Sequence, residues 1–132
     1  MRLLLDTHIA IWVLCDSPRL RDPARGLIAD QRNSVFVSAV SVWEIALKHR
    51  LNRGGPDDMP VSGSVALEAF LQTGFEILAV TGEHAAALDG LPPIHKDPFD
   101  RLIVAQALAE PLILITNDAV VANYSSTGIQ LV

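Results

Sequence analysis

This chain has little of what marks several common protein classes. It has one cysteine, Cys15, in an apolar run, so no internal disulfide can form and the thiol reads as a small buried hydrophobe in reducing surroundings. No apolar stretch reaches the length of a membrane span or a signal-peptide core, because Asp6 and His8 break the first and Gln106, Glu110 and Pro111 break a later one. The expectation is a cytoplasmic protein without a membrane. Positive charge is short as well: 10 Lys and Arg against 15 Asp and Glu give a formal net charge of −5. That balance argues against holding nucleic acid through a broad basic face. The glycine-rich phosphate and dinucleotide loops, the paired-histidine zinc helix and the nucleophile elbow of hydrolases are all missing. His8, His49, His84 and His95 are scattered without zinc spacing, which leaves them surface or supporting roles, with His8 alone close to an acid of interest.

What is present is a chain of 132 residues, half of them hydrophobic and 19% charged, without repeats or low-complexity tracts. That size suits a single domain over 1–132. Short leucine or β-branched runs alternate with longer segments whose apolar residues recur every three or four positions. Strands are expected at 2–6, 34–38, 75–79, 112–116 and 129–132, and helices at 7–14, 23–32, 39–51, 63–73, 81–89, 98–110 and about 118–123. Strands that are apolar throughout suit a parallel sheet covered on both faces, so the fold class is α/β, a three-layer α/β/α sandwich. The turn-rich stretch 52–63 is expected as an exposed loop between helices.

Ligands of such sheets bind beyond the carboxyl ends of the strands. Asp6 ends the first strand, Glu44 lies early in the helix after the second, Asp97 and Asp100 open the helix at 98–110, and Asp118 follows the fourth strand. Each has a local explanation. Asp97 before Pro98 is a helix cap, Asp100 stands where a capping box places an acid, Asp6 and Asp118 or Asn117 could cap as well, and Glu44 is four residues from Lys48. Capping does not explain Glu44, which sits in AVSVWEIAL among apolar neighbours. An unpaired buried carboxylate is costly, whereas several carboxylates around a divalent cation satisfy one another. An all-oxygen set selects Mg2+ or Mn2+ over zinc.

The ordered set D-T-H after the first strand, S-x-W-E-I-A, D-P-F-D-R-L-I-V-A-Q-A and T-N-D resembles the PIN-domain ribonucleases, and among them the VapC-type toxins of bacterial toxin–antitoxin pairs. The resemblance runs from Met1 to about Asp118. It implies strand order 3-2-1-4-5 and a Mg2+ or Mn2+ quartet at Asp6, Glu44, Asp100 and Asp118, supported by Thr116, with Asn117 nearby and Asp97 as supporting residue or cap. It further implies metal-assisted hydrolysis of RNA, which needs no nucleophilic side chain, and a cognate antitoxin seated near the first helices, where Trp12 and Trp43 could form walls.

Four of the fifteen acids belong to that quartet, so much of the negative charge is local. Lys48, His49, Arg50 and Arg53 form one basic group and Arg19, Arg21 and Arg25 another; Lys48, Arg50, Arg53 and Arg101 are the candidate RNA contacts. The apolar excess, a mean hydropathy of +0.33, favours a homodimer. Two alternatives stay open: a PIN-fold binding protein without activity, and a Mg2+-dependent phosphatase of haloacid-dehalogenase type. The phosphatase pattern requires a second aspartate two residues after the first, where this chain has His8.

Overall fold

A computed structural model describes residues 1–124 and 130–131. Five parallel strands form one sheet in the order β3-β2-β1-β4-β5. They are β1 (Arg2–Leu5), β2 (Ser34–Ser38), β3 (Glu76–Leu78), β4 (Ile113–Ile115) and β5 (Gln130–Leu131). Between them run α1 (Thr7–Leu14), α2 (Ala24–Ala29), α3 (Ala39–Arg50), α4 (Gly63–Thr73), α5 (Gly82–Ala86) with a 3-10 turn at Ala87–Gly90, α6 (Pro98–Ala109) and α7 (Ala119–Ala122). The order matches the one implied by the resemblance. The last expected strand is observed at 130–131, and its outer positions 129 and 132 lie outside the described residues.

β1 is the middle strand, which explains its three consecutive leucines. Its register places Leu5 beside Val37 of β2 and Ile115 of β4. Leu3 and Leu5 face one core, with Ile9 of α1, Ile45 of α3 and Phe70 of α4. Leu4 faces the opposite core, with Ile103 and Val104 of α6, Leu114, Val121 and Tyr124. All three leucines are fully buried because both faces of the strand are covered.

Side chains at the strand ends start the helices. Asp6 caps α1, Ser38 caps α3 through the Val40 N–H at 3.0 Å, and Ser62 caps α4 through the Val65 N–H at 3.3 Å. Gly74, at φ 91°, closes α4 in the left-handed conformation. α3 and α4 approach closely at Gly63, where an added Cβ would stand 2.6 Å from Ala46 Cβ.

Two expectations are corrected. Cys15 is exposed, because it is the C-cap of α1, past the half-buried last turn of the helix and next to Asp16, where the chain turns at φ 46°. His84 is buried, not on the surface. Its Nδ1 accepts the Thr81 N–H at 3.0 Å in a capping box, and its Nε2 lies 2.6 Å from Glu110. Beside it Ser38 donates to Gln106 Oε1 at 2.5 Å, and Gln106 Nε2 donates to the Ala79 carbonyl at 3.3 Å. This buried network ties α5 and α6 to the ends of β2 and β3.

Candidate metal centre

Because the strands are parallel, the residues after β1 and β4 and the helix starts after β2 come to one edge of the sheet. Asp6 is 5% exposed there. One of its oxygens accepts the Ile9 N–H at 3.0 Å, and the other accepts the Thr116 hydroxyl. Burial drives its carboxyl up, against the pull of Thr116, the Ile9 N–H and His8, and Asp118 adds to the rise. Thr116 Oγ1 also accepts the Asp118 N–H at 3.0 Å, so one hydroxyl links the turns after β1 and β4.

Asp118 caps α7 through the N–H groups of Val120 at 2.8 Å and Val121 at 3.4 Å. Burial pushes its carboxyl up, but these N–H groups and His95 outweigh that and hold it below the ordinary value. Asp97 caps α6 through the N–H groups of Phe99 at 2.8 Å and Asp100 at 3.3 Å. Asp100 Oδ2 lies 3.1 Å from His95 Nε2. Burial, with the charges of Asp97, Glu44 and Asp6, raises the Asp100 carboxyl to about 7 against a smaller opposing pull from His95.

Glu44 is 1% exposed. Oε2 lies 2.5 Å from Lys48 Nζ, and Oε1 has no hydrogen-bond partner among the described residues. Burial pulls the Lys48 ammonium down, but the bond to Glu44 and the charges of Glu44, Asp97 and Asp100 prevail and raise it. Lys48 thus serves Asp97 and Asp100 as well as its helical neighbour.

The four acids are linked through their charges: Glu44 and Asp6 act on the ionisation of Asp100, and Asp118 acts on that of Asp6. A buried oxygen without a donor, two carboxyls pushed up by burial and like charge, and an all-carboxylate donor set fit a hard divalent cation. A hollow of about 200 Å³ lined by Asp6, His8, Trp12, Asn117 and Asp118 opens beside them. A larger hollow of about 620 Å³, with Arg25, Phe75 and Glu76 in its wall, lies at the opposite end of the sheet and contains none of these acids.

The other sequence candidates fall in different places. Arg50 and Arg53 are exposed at the end of α3 and in the following loop, which Asn52 and Asp58 brace through the Met59, Arg53 and Gly54 backbone. Arg101 is turned inward: its guanidinium donates to the Pro92 carbonyl at 3.0 Å, the Leu91 carbonyl at 3.4 Å and the Tyr124 hydroxyl at 3.3 Å. Arg25 similarly clamps its own loop, donating to the Leu20 and Ser17 carbonyls at 2.8 Å and to Asp16 at 3.0 Å. Trp12 is half-buried, while Trp43 is 59% exposed with its ring edge-to-face with Phe99 at 4.7 Å.

Sequence reasoning missed His95. It picked out His8 as the histidine near the acids, yet His95 lies between Asp100 and Asp118, with Nε2 3.2 Å from Asp118 Oδ2. The available signal was its place two residues before the Asp97 cap.

The sequence pattern of the PIN domain family matches residues 3–126. The chain belongs to the PIN-domain family. This PIN domain is 36% identical over 73 residues to ribonuclease VapC16 of Mycobacterium tuberculosis, a match covering 52% of this chain and 50% of that protein. The chain thus spans about half the length of the curated relative it matches. Its fold is similar to VapBC2 from Rickettsia felis bound to a promoter DNA fragment, at TM-score 0.71 and 19% identity over 100% of this chain and 98% of that one. It is also similar to DNA-bound VapBC from Salmonella typhimurium, at TM-score 0.65 and 17% identity over 100% and 97%. At these identities the two structures speak to the fold. PIN membership replaces the phosphatase alternative.

Proposed function

We propose that this PIN domain is a metal-dependent endoribonuclease acting as the toxin of a toxin–antitoxin pair, cytoplasmic, working as one domain and as a homodimer. The observation that carries the metal site is the buried Glu44 carboxylate, half of it paired with Lys48 and half without a partner among the described residues, close enough to Asp100 to raise that carboxyl together with Asp97 and Asp6. The partial likeness to a named ribonuclease and the fold shared with VapBC complexes support the toxin reading. Among the described residues no helix is long and apolar enough to cross a membrane.

In this reading Asp6, Glu44 and Asp100 hold Mg2+ or Mn2+, and Asp118 is a fourth ligand or orients the attacking water. When bound, the cation supplies an acidified water and charge neutralisation at the phosphodiester. Thr116 keeps Asp6 turned toward the site through its hydroxyl, and Asp97 fixes the start of α6 and with it Asp100. Asn117, which lines the smaller hollow with Asp6 and Asp118, supports the site beside Thr116. Lys48, Arg50 and Arg53 supply phosphate contacts, while Arg101 supports the loop that carries His95. The apolar side chains exposed along α3, Trp43 and Leu47, are surface for a second copy or an antitoxin.

The test is incubation of purified protein with single-stranded and structured RNA, with and without Mg2+ or Mn2+, beside an Asp6→Asn control. Cleavage that needs both the ion and Asp6 is expected. If wild type and variant cleave alike, or wild type cuts neither RNA, the nuclease reading fails.

A further inference from the structure

Both ring nitrogens of His95 are committed. Nδ1 accepts the Asp97 backbone N–H at 3.0 Å, so it presents a lone pair and the ring hydrogen sits on Nε2. Nε2 lies 3.1 Å from Asp100 Oδ2 and 3.2 Å from Asp118 Oδ2, and it donates to Asp118. The ring is held from behind. The His95 backbone N–H donates to the Tyr124 hydroxyl at 2.8 Å, and Arg101 reaches that same hydroxyl at 3.3 Å and the Pro92 carbonyl at 3.0 Å.

By position alone, His95, Asp100 and Asp118 could chelate an ion, since one donor atom from each lies within 4.8 Å of the others. The hydrogens argue otherwise. For Nε2 to bind a cation, the ring hydrogen would have to sit on Nδ1, where the Asp97 N–H already points. Two N–H groups would then oppose each other and a backbone donor would lose its acceptor. We propose that His95 is a positioning residue of the centre and not one of its ligands: its Nε2–H holds the Asp118 carboxylate, beside Asp100, in the orientation that serves a shared cation. This rests on the reading of the acids as a metal site. Carboxylates at metal sites depend on such partners, and losing one commonly weakens binding ~10–100-fold.

Two measurements on the full chain test it. Nitrogen NMR of the histidine rings, without metal and then with Mg2+, should show His95 protonated at Nε2 and bare at Nδ1 in both states. Calorimetric Mg2+ and Mn2+ titrations should find His95→Ala ~10–100-fold weaker than wild type. His95→Gln, whose side-chain amide can donate from near the Nε2 position, should stay within about threefold of wild type, on the same scale. The inference is overturned if Nε2 loses its hydrogen when Mg2+ is added, if His95→Ala binds as tightly as wild type, or if His95→Gln is as weak as His95→Ala. Failure of wild type to bind either ion sinks the metal-centre reading itself, and this inference with it, in a titration that needs no variant.

Discussion

Lys48 Nζ stands 2.5 Å from Glu44 Oε2, while Oε1 of the same buried carboxylate has no partner among the described residues. An ion pair four residues apart on a helix is ordinary; one that leaves half a carboxylate buried and unanswered is not. Removing the lysine leaves the whole group uncompensated. Lys48→Met should therefore lower the stability of the metal-free protein by about 1–2 kcal/mol, a figure reduced because Lys48 is partly exposed. Millimolar Mg2+ should restore most of it in urea unfolding. If Mg2+ leaves the variant unchanged, Glu44 is not a ligand.

Asp6→Asn should abolish ion-dependent RNA cleavage, by about 100-fold or more, and leave the fold intact. The amide oxygen can still accept the Ile9 N–H, and the amide N–H can donate to Thr116 Oγ1. Circular dichroism and thermal melting check the fold, and a gel-based RNA assay checks the activity. A variant that melts far below wild type would mean the carboxylate is structural.

The metal-free protein should lose stability as pH rises toward neutrality because of Asp100. Its folded carboxyl, at about 7, lies above the ordinary 3.8, so the folded state holds the proton more tightly. That contribution is complete below 3.8 and is lost as pH climbs through about 7. Melting temperature against pH should slope downward across this window, and Asp100→Asn should flatten the slope. Cation affinity should rise over the same window, since the proton and the metal compete for one carboxylate.

Arg101→Ala should destabilise the protein by about 1–3 kcal/mol and weaken ion binding as well, because the guanidinium ties the Leu91–Pro92 carbonyls to Tyr124 and so braces the loop carrying His95. Arg101→Lys should recover little of this, since one ammonium cannot reproduce the guanidinium's spread of donors. Full recovery by lysine in chemical unfolding would reduce the contact to simple charge.

Gly63→Ala tests the packing that seats α3, the helix carrying Glu44. The new methyl would meet Ala46 Cβ at 2.6 Å and the Val42 carbonyl at 3.3 Å, forcing α3 and α4 apart. A loss of about 1–3 kcal/mol in denaturant unfolding is expected. An unchanged midpoint would show that the two helices shift without strain.

The elements were legible in the chain because they rest on short-range physics. Three apolar residues between polar ends make the buried β1, Ser38 and Asp97 start α3 and α6, and Gly74 stops α4. Asp6, Asp100 and Asp118 were legible by the same route, since each lies at a strand end or helix start, and strands that are all parallel deliver those positions to one edge; Glu44, in the middle of α3, was legible as a carboxylate among apolar neighbours. The helix expected at 23–32 was less so: it is observed at Ala24–Ala29, ending where Asp30 turns extended and pairs with Arg32.

The sequence by itself thus determined the α/β alternation, the placement of Asp6, Asp100 and Asp118 at element ends and of Glu44 among apolar neighbours, and the family pattern. Only the tertiary structure decided which side chains meet. Thr116 reaches Asp6 across 110 residues, His95 is the histidine set between the carboxylates, Arg101 turns inward, His84 is buried and Cys15 is not. The reason is physical: periodicity and capping act within a few residues, whereas these contacts depend on strand order and on the direction in which each side chain leaves its backbone.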